Sequence, residues 1–129
     1  MSLVIYGIAA SRTSRPLWMA EELGLDYTHV ATPYQGGPTR TPAFLALNPN
    51  GHIPVLDDHG LIVWESMACS LHLALTYGPA LSTSERADAL RWSFWAVTEI
   101  EKDALTVLMH RRAMPPERRR AAGPRSRSS

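Results

Sequence analysis

The sequence predicts an α/β fold: a mixed four-stranded sheet with helices, followed by one long helix. Three observations carry this. Residues 3–32 run through strand, helix and strand patterns. Residues 53–64 read as a hairpin. Residues 84–110 keep an apolar pattern of helical period over a length that no ordinary strand reaches. A helix between the first two strands implies that they run parallel, and a hairpin adds antiparallel neighbours, so the sheet is mixed.

Each element has its own signal. "LVIYGI" (Leu3 to Ile8) is a short β-prone apolar run bounded by Gly7 and the small residues Ala9 to Ser11, and reads as a buried strand. From Ser14 onward Pro16 suits a first helical turn. Leu17, Met19, Ala20 and Leu23 follow at helical spacing until Gly24 stops the run. "DYTHVAT" alternates and is β-branched, the mark of a second strand, and "PYQGGPTRTP" ends it in an irregular exposed loop. Pro42 to Leu47 suits one or two helical turns. "LNPNGHIPVL" then breaks the helix, turns, and enters a strand at Val55 and Leu56. Asp57 to Gly60 is read as the hairpin turn and Leu61 to Trp64 as the returning strand. "ESMACSLHLALTYG" is a helix with Ser66 near its start and Gly78 just past its end. The last helix, Ser84 to His110, has acidic charge in its first turn and "HRR" at its end. Leu90, Phe94, Val97, Leu105 and Leu108 form a stripe on it, and Trp92, Trp95, Ile100 and Met109 spread the apolar surface around the cylinder. Such a helix expects neighbours on several sides, so the chain reads as incomplete or obligately partnered. Residues 1–79 form the first domain of this reading and residues 80–129 the start of a second.

Bulk properties narrow the function classes. The chain has 129 residues, 45% hydrophobic and 19% charged, which places it among soluble globular domains. No apolar run is long enough for a bilayer, and "MSLVIYG" lacks the basic start and long apolar centre of a secretory signal. A single cysteine, Cys69, excludes an intrachain disulfide or a CxxC site and fits a cytoplasmic location; inside a helix it reads as packed. The five histidines and the carboxylates show no metal-ligand spacing, so no metal is expected. Net charge is +1, but residues 1–110 carry −5 and residues 111–129 carry +6. That basic tail offers no aromatic for stacking and no periodic face, so it reads as a disordered, solvated, truncated or frame-shifted end rather than a nucleic-acid site.

The ordered words "SRTSRPLWMAEELGLDY", "LNPNGHIPVL" and "LIVWES" resemble the N-terminal domain of glutathione transferases, of the theta-like, serine-type kind. The resemblance covers residues 3–78 and implies a thioredoxin-like fold, β-α-β-α-β-β-α, followed by one long helix of an incomplete all-α domain. It implies glutathione as co-substrate, a small-molecule electrophile or peroxide as the second substrate, and a homodimer in the full-length form, with neither nucleic acid nor membrane as partner.

It also implies a site. Family members have a cis proline before the third strand, which assigns cis to Ile53–Pro54 and turns the Ile53 backbone towards an extended peptide. Glu65 and Ser66 open a helix, where free N–H groups suit a carboxylate; Ser66 adds its hydroxyl and Glu65 can pair with an ammonium, matching the γ-glutamyl end of glutathione. His52 corresponds to a basic residue that holds the glycyl end in some members, with Arg40 as a second candidate. The sulfur is expected at the turn after the first strand, where Ser11, Thr13 and Ser14 compete; Ser11, four residues before Arg15, is chosen as hydrogen-bond donor. Ser14 is read as a possible helix cap, Arg12 as a source of positive potential, and Tyr6 as core. Trp92 and Trp95 are read as helix packing rather than a pocket wall. A competing reading is a non-catalytic glutathione-binding or protein-interaction module.

Overall fold

A computed structural model describes residues 2–113. The chain divides into two units between Ser84 and Glu85.

The first unit holds β1 (Leu3–Tyr6), α1 (Ser14–Glu22), β2 (Thr28–Val30), α2 (Pro42–Leu47), β3 (Val55–Asp58), β4 (Leu61–Trp64) and α3 (Ser66–Tyr77), with a 3₁₀ turn at Pro38–Arg40. The strands lie in the order β2-β1-β3-β4. β1 runs parallel to β2 and antiparallel to β3, and β3 is antiparallel to β4. The mixed sheet is therefore the one the crossover helix and hairpin dictate.

Alternation along the strands selects the core. Leu3 and Ile5 on β1 and Leu56 on β3 join Ala20 of α1 and Cys69 and Leu73 of α3 in one buried cluster. Packing α1 and α3 together over that face removes Ile5, Leu56 and Leu73 from water almost entirely, roughly 2 kcal/mol for each such side chain. Tyr6 takes the opposite phase of β1 and is only half-buried, outside that cluster, because successive strand residues face opposite ways. The Cys69 thiol is enclosed, and burial pushes its pKa up to about 12. It stays protonated and packs as a small apolar group.

The hairpin turn is tighter than the sequence suggests. Asp57 and Asp58 belong to β3, paired with Ile62 and Leu61, which leaves only His59 and Gly60 in the turn. Both have positive φ, 52° and 94°, the pair of values whose twist suits flanking strands. Asp57 Oδ1 accepts from the Gly60 amide at 2.8 Å and secures it.

The second unit is helical: α4 (Thr83–Trp95), a π turn (Ala96–Ile100) and α5 (Glu101–Ala113). The expected uninterrupted helix thus has an irregular turn at its middle, where Thr98 Oγ1 donates back to the Phe94 carbonyl at 2.7 Å. It also runs to Ala113, so Arg111 and Arg112, read from sequence as the start of a disordered tail, sit in the last helical turn beside the negative dipole end. The remainder of that tail, residues 114–129, lies outside the described residues. Trp92 and Trp95 pack edge to face with centroids 5.4 Å apart, and Arg91 lies over Trp92. No residue of α4 or the π turn is buried, and Phe94, Val107 and Met109 are more than half exposed. Among the described residues, no helix is long and apolar enough to cross a membrane, and no group of three or more His, Cys, Asp or Glu side chains is placed to hold a metal ion.

Candidate functional site

Register brings the three sequence motifs to one end of the sheet. Tyr6 pairs with Val55, and Val55 pairs with Trp64. The residues just beyond that row are Gly7, Pro54 and Glu65. The turn after β1, the entry to β3 and the start of α3 are therefore neighbours, although they are spread over residues 7–66 in sequence.

The turn after β1 is held by its own side chains. Ser11 Oγ lies 2.6 Å from the Ile8 carbonyl and 2.9 Å from Thr13 Oγ1, and accepts from the Thr13 amide at 3.1 Å. Ser11 is half-buried, Ser14 exposed, and Thr13 has no exposed surface. Thr13 is packed against Gly7, whose φ is +138° and whose missing Cβ would overlap Thr13 Oγ1. That enclosure withdraws Thr13 from the sulfur contest. Ser14 is not a cap: it is the first residue of α1, the preceding Thr13 already has helical angles, and no side chain caps the helix. Gly7→Ala is expected to lose about 3 kcal/mol of stability, combining positive-φ strain with the overlap. Chemical denaturation reads it directly, and a loss below about 0.5 kcal/mol would show that the turn yields freely.

Between α2 and β3 the run of turn-formers is organised by a buried residue that sequence reading passes over. Asn48 is 2% exposed; its Nδ2 donates to the His52 carbonyl at 3.0 Å, and its Oδ1 accepts from the amide and side chain of Asn50. The Asn-Pro-Asn-Gly composition signals a turn, but nothing local says which asparagine turns inward. The Ile53–Pro54 bond is cis. The strand ladder starts at Val55, so neither backbone group of Ile53 is used by it. His52 is exposed beside it, and Arg40 leans over this loop: a Cβ on Gly51 would lie 2.9 Å from Arg40 Nη1. Both basic candidates thus flank the same loop.

At the third station Glu65 is exposed with φ 74° and ψ 119°, an uncommon conformation for a residue with a Cβ, and makes no side-chain cap. Ser66 is the first residue of α3 and 5% exposed. Its hydroxyl accepts from Arg15 Nη1 at 2.8 Å, joining α1 to the start of α3 across 51 residues. Arg15 was only a spacing marker in the sequence. Its reach to Ser66 is a product of the fold and has no local signal. Arg15 also borders an open groove of about 370 Å³ between α1 and α3, shared with Trp18, Met19, Glu22, Met67 and Ser70.

A second polar cluster lies at the far end of β3. Asp58, 8% exposed, accepts from Tyr77 OH at 2.5 Å, His72 Nε2 at 2.7 Å and His59 Nδ1 at 2.8 Å. Burial alone would raise its pKa. The hydrogen bonds from Tyr77, His59 and His72, with the charge of His72, outweigh burial and hold the pKa at about 2. This clamp ties the hairpin to the C-terminal half of α3, opposite the end that holds the three motifs.

Four strands in this order with α1 and α3 packed on one face, and the three motifs at one sheet end, define a thioredoxin-like domain. Residues 1–74 match the family described as glutathione S-transferase, N-terminal domain, and the chain belongs to that family. Glutathione S-transferase GstB of Escherichia coli K12 is 34% identical over 116 residues, 85% of this chain and 56% of that protein. The transcriptional regulator URE2 of Saccharomyces cerevisiae is 37% identical over 82 residues, 57% of this chain and 23% of that protein. A solved theta-class glutathione S-transferase from Xanthomonas axonopodis pv. citri, with glutathione bound, superimposes with a TM-score of 0.80 at 34% identity, covering 93% of this chain and 60% of that one. The chain thus spans little more than half the length of these transferases, and a smaller share of the regulator.

Proposed function

We propose that this chain binds glutathione along the sheet end and, in a whole protein, activates its thiol for attack on an electrophilic small molecule or peroxide. The observation that supports the reading is the row Tyr6–Val55–Trp64, beyond which the chain continues into the turn that contains Ser11, the cis Ile53–Pro54 bond and the start of α3 at Ser66. An extended tripeptide laid along that row meets a matching group at each part. The γ-glutamyl carboxylate faces Ser66 and the α3 N-terminus, and its ammonium faces Glu65. The cysteinyl backbone pairs with the free amide and carbonyl of Ile53. The glycyl carboxylate has His52 and Arg40 beside it. The sulfur then lies towards Ser11 and the start of α1. An unperturbed thiol with pKa near 8.5 is only about 3% ionised at pH 7, so a hydroxyl donor and a helix N-terminus there have a purpose: they favour the thiolate.

A second reading, a glutathione-binding module without turnover, is favoured by the position of Ser11 Oγ, 2.6 Å from the Ile8 carbonyl, where its proton is already in use. Titration calorimetry with glutathione, followed by a conjugation assay with a chlorinated nitroaromatic, separates the two. Heat with turnover supports the enzyme, and heat without turnover supports the module. Absence of heat removes both.

A further inference from the structure

We propose that His29 is a positioning residue for the sulfur-facing turn, acting on Ser11 through the Gly7–Ile8 peptide. This rests on the glutathione reading above and adds to it a residue that lies outside the three motifs. β2 is an edge of the sheet and all three of its residues are exposed, so a histidine there would ordinarily be solvated surface. The ring of His29 instead reaches past its register partner Ile5, and its Nε2 lies 2.6 Å from the Gly7 carbonyl oxygen. A carbonyl only accepts, so Nε2 carries the proton in this contact. The Nε2–H tautomer and the imidazolium both supply that donor, and the contact holds in either form.

The contact completes a set. The Gly7 amide donates to the Val30 carbonyl at 2.8 Å, and the Ile8 amide donates to the Thr32 carbonyl at 3.0 Å. The Gly7 carbonyl and the Ile8 amide belong to one planar peptide unit. His29 and Thr32 therefore hold both polar groups of that plane, and its tilt is fixed. Such holding matters here because Gly7, at φ +138°, sits just past the ladder and glycine tolerates many orientations. The next carbonyl, that of Ile8, accepts the Ser11 hydroxyl at 2.6 Å. Gly7 itself packs against Thr13, whose Oγ1 is 2.9 Å from Ser11 Oγ. Ser11 is thus located from two sides by the segment that His29 anchors. Without the ring donor, the Gly7 carbonyl turns to water and the Ile8 carbonyl moves with the plane. A donor aimed at a sulfur must keep its place to within about 0.5 Å, so a small tilt is enough to weaken it.

The test uses the full chain with glutathione. His29→Val keeps strand propensity and removes the donor, whereas His29→Gln retains a side-chain N–H of similar reach. Ultraviolet absorbance against pH reads the thiolate midpoint of the bound tripeptide. His29→Val is expected to raise that midpoint by about half a unit, which is about threefold less thiolate at a pH well below it. Glutathione affinity, read by calorimetry in that same pH range, is expected to change less than about twofold. His29→Gln is expected to return the midpoint to within about 0.2 unit of the parent. In a Ser11→Ala background His29→Val is expected to move it no further, because the histidine acts through Ser11. A histidine that only stabilised the sheet edge would lower the melting temperature and leave the midpoint alone. His29→Phe is the second donor-free variant should His29→Val not fold. A midpoint that stays put in a folded donor-free variant, that His29→Gln fails to restore, or that moves as far without Ser11 overturns the positioning role and leaves glutathione binding intact. Absence of glutathione binding by the parent chain overturns the proposal together with the reading beneath it.

Discussion

Replacing Ser11 with alanine is expected to lower the turnover number for glutathione conjugation about a hundredfold while glutathione affinity changes by no more than about threefold. Among the three hydroxyls of the β1–α1 turn, Thr13 is enclosed against Gly7, and Ser14 is exposed at the first position of α1. Ser11 is the one whose oxygen sits part-way between protein and solvent. Its proton now points to the Ile8 carbonyl, a neutral acceptor at 2.6 Å, or to Thr13 Oγ1 at 2.9 Å. A bound thiolate is a charged acceptor and forms the stronger bond, so the hydroxyl is expected to rotate towards sulfur when glutathione is present. Loss of that donor raises the pKa of the bound thiol, because the charged form alone gains from the contact. Ultraviolet absorbance of the thiolate against pH reads this, with the midpoint in Ser11→Ala expected about one unit higher. An unchanged midpoint and turnover would move the role to Ser14, whose alanine variant is the control.

Asp58→Ala is expected to cost about 2–3 kcal/mol of stability in the first unit, and to lower its melting temperature by about 10 °C or more for a unit of this size. Three donors, from Tyr77, His72 and His59, converge on one nearly buried carboxylate. Removing it unfastens the hairpin from α3 and leaves the half-buried His72 without its 2.7 Å partner. The same carboxylate gives the parent chain an acid-sensitive term. Its folded pKa, about 2, lies below the ordinary aspartate value of 3.8. A depressed carboxylate pKa stabilises the fold above the unfolded value, so this contribution is complete above about pH 4 and is lost as pH falls through about 2. The span corresponds to about 2 kcal/mol. Denaturation at pH 5 and at pH 2.5 should show a smaller pH-dependent loss in Asp58→Ala than in the parent. Equal losses in the two proteins would show that other carboxylates carry the acid dependence. Glutathione binding at pH 7 is expected to survive in the folded variant, since Asp58 and the three motifs lie at opposite ends of β3.

Much of the first unit was legible because its signals are local. Strand composition, the Gly24 stop, the Asn-Pro-Asn-Gly break and the Gly78 end each act over a few residues, and the structure places the elements where those signals fall. The hairpin was misjudged by two residues because Asp57 and Asp58 look like turn formers. Cross-strand pairing with Ile62 and Leu61 overrides that preference, leaving His59 and Gly60 to turn. In the long helix the apolar pattern was correct in period, but a one-residue excess per turn at Ala96–Ile100 leaves no mark in composition.

Periodicity and turn chemistry determined by themselves the elements, their order and the sheet's mixed character, and the ordered motifs pointed to the family and to most candidate residues. Only the tertiary structure decided that Arg15 meets Ser66, that Asn48 turns inward beneath the loop, that Thr13 is sealed by Gly7, and that Asp58 gathers three donors. The reason is physical. Propensity and capping are properties of neighbours in the chain, whereas a hydrogen bond across 51 residues exists only after packing of α1 against α3 has brought its two ends within 2.8 Å.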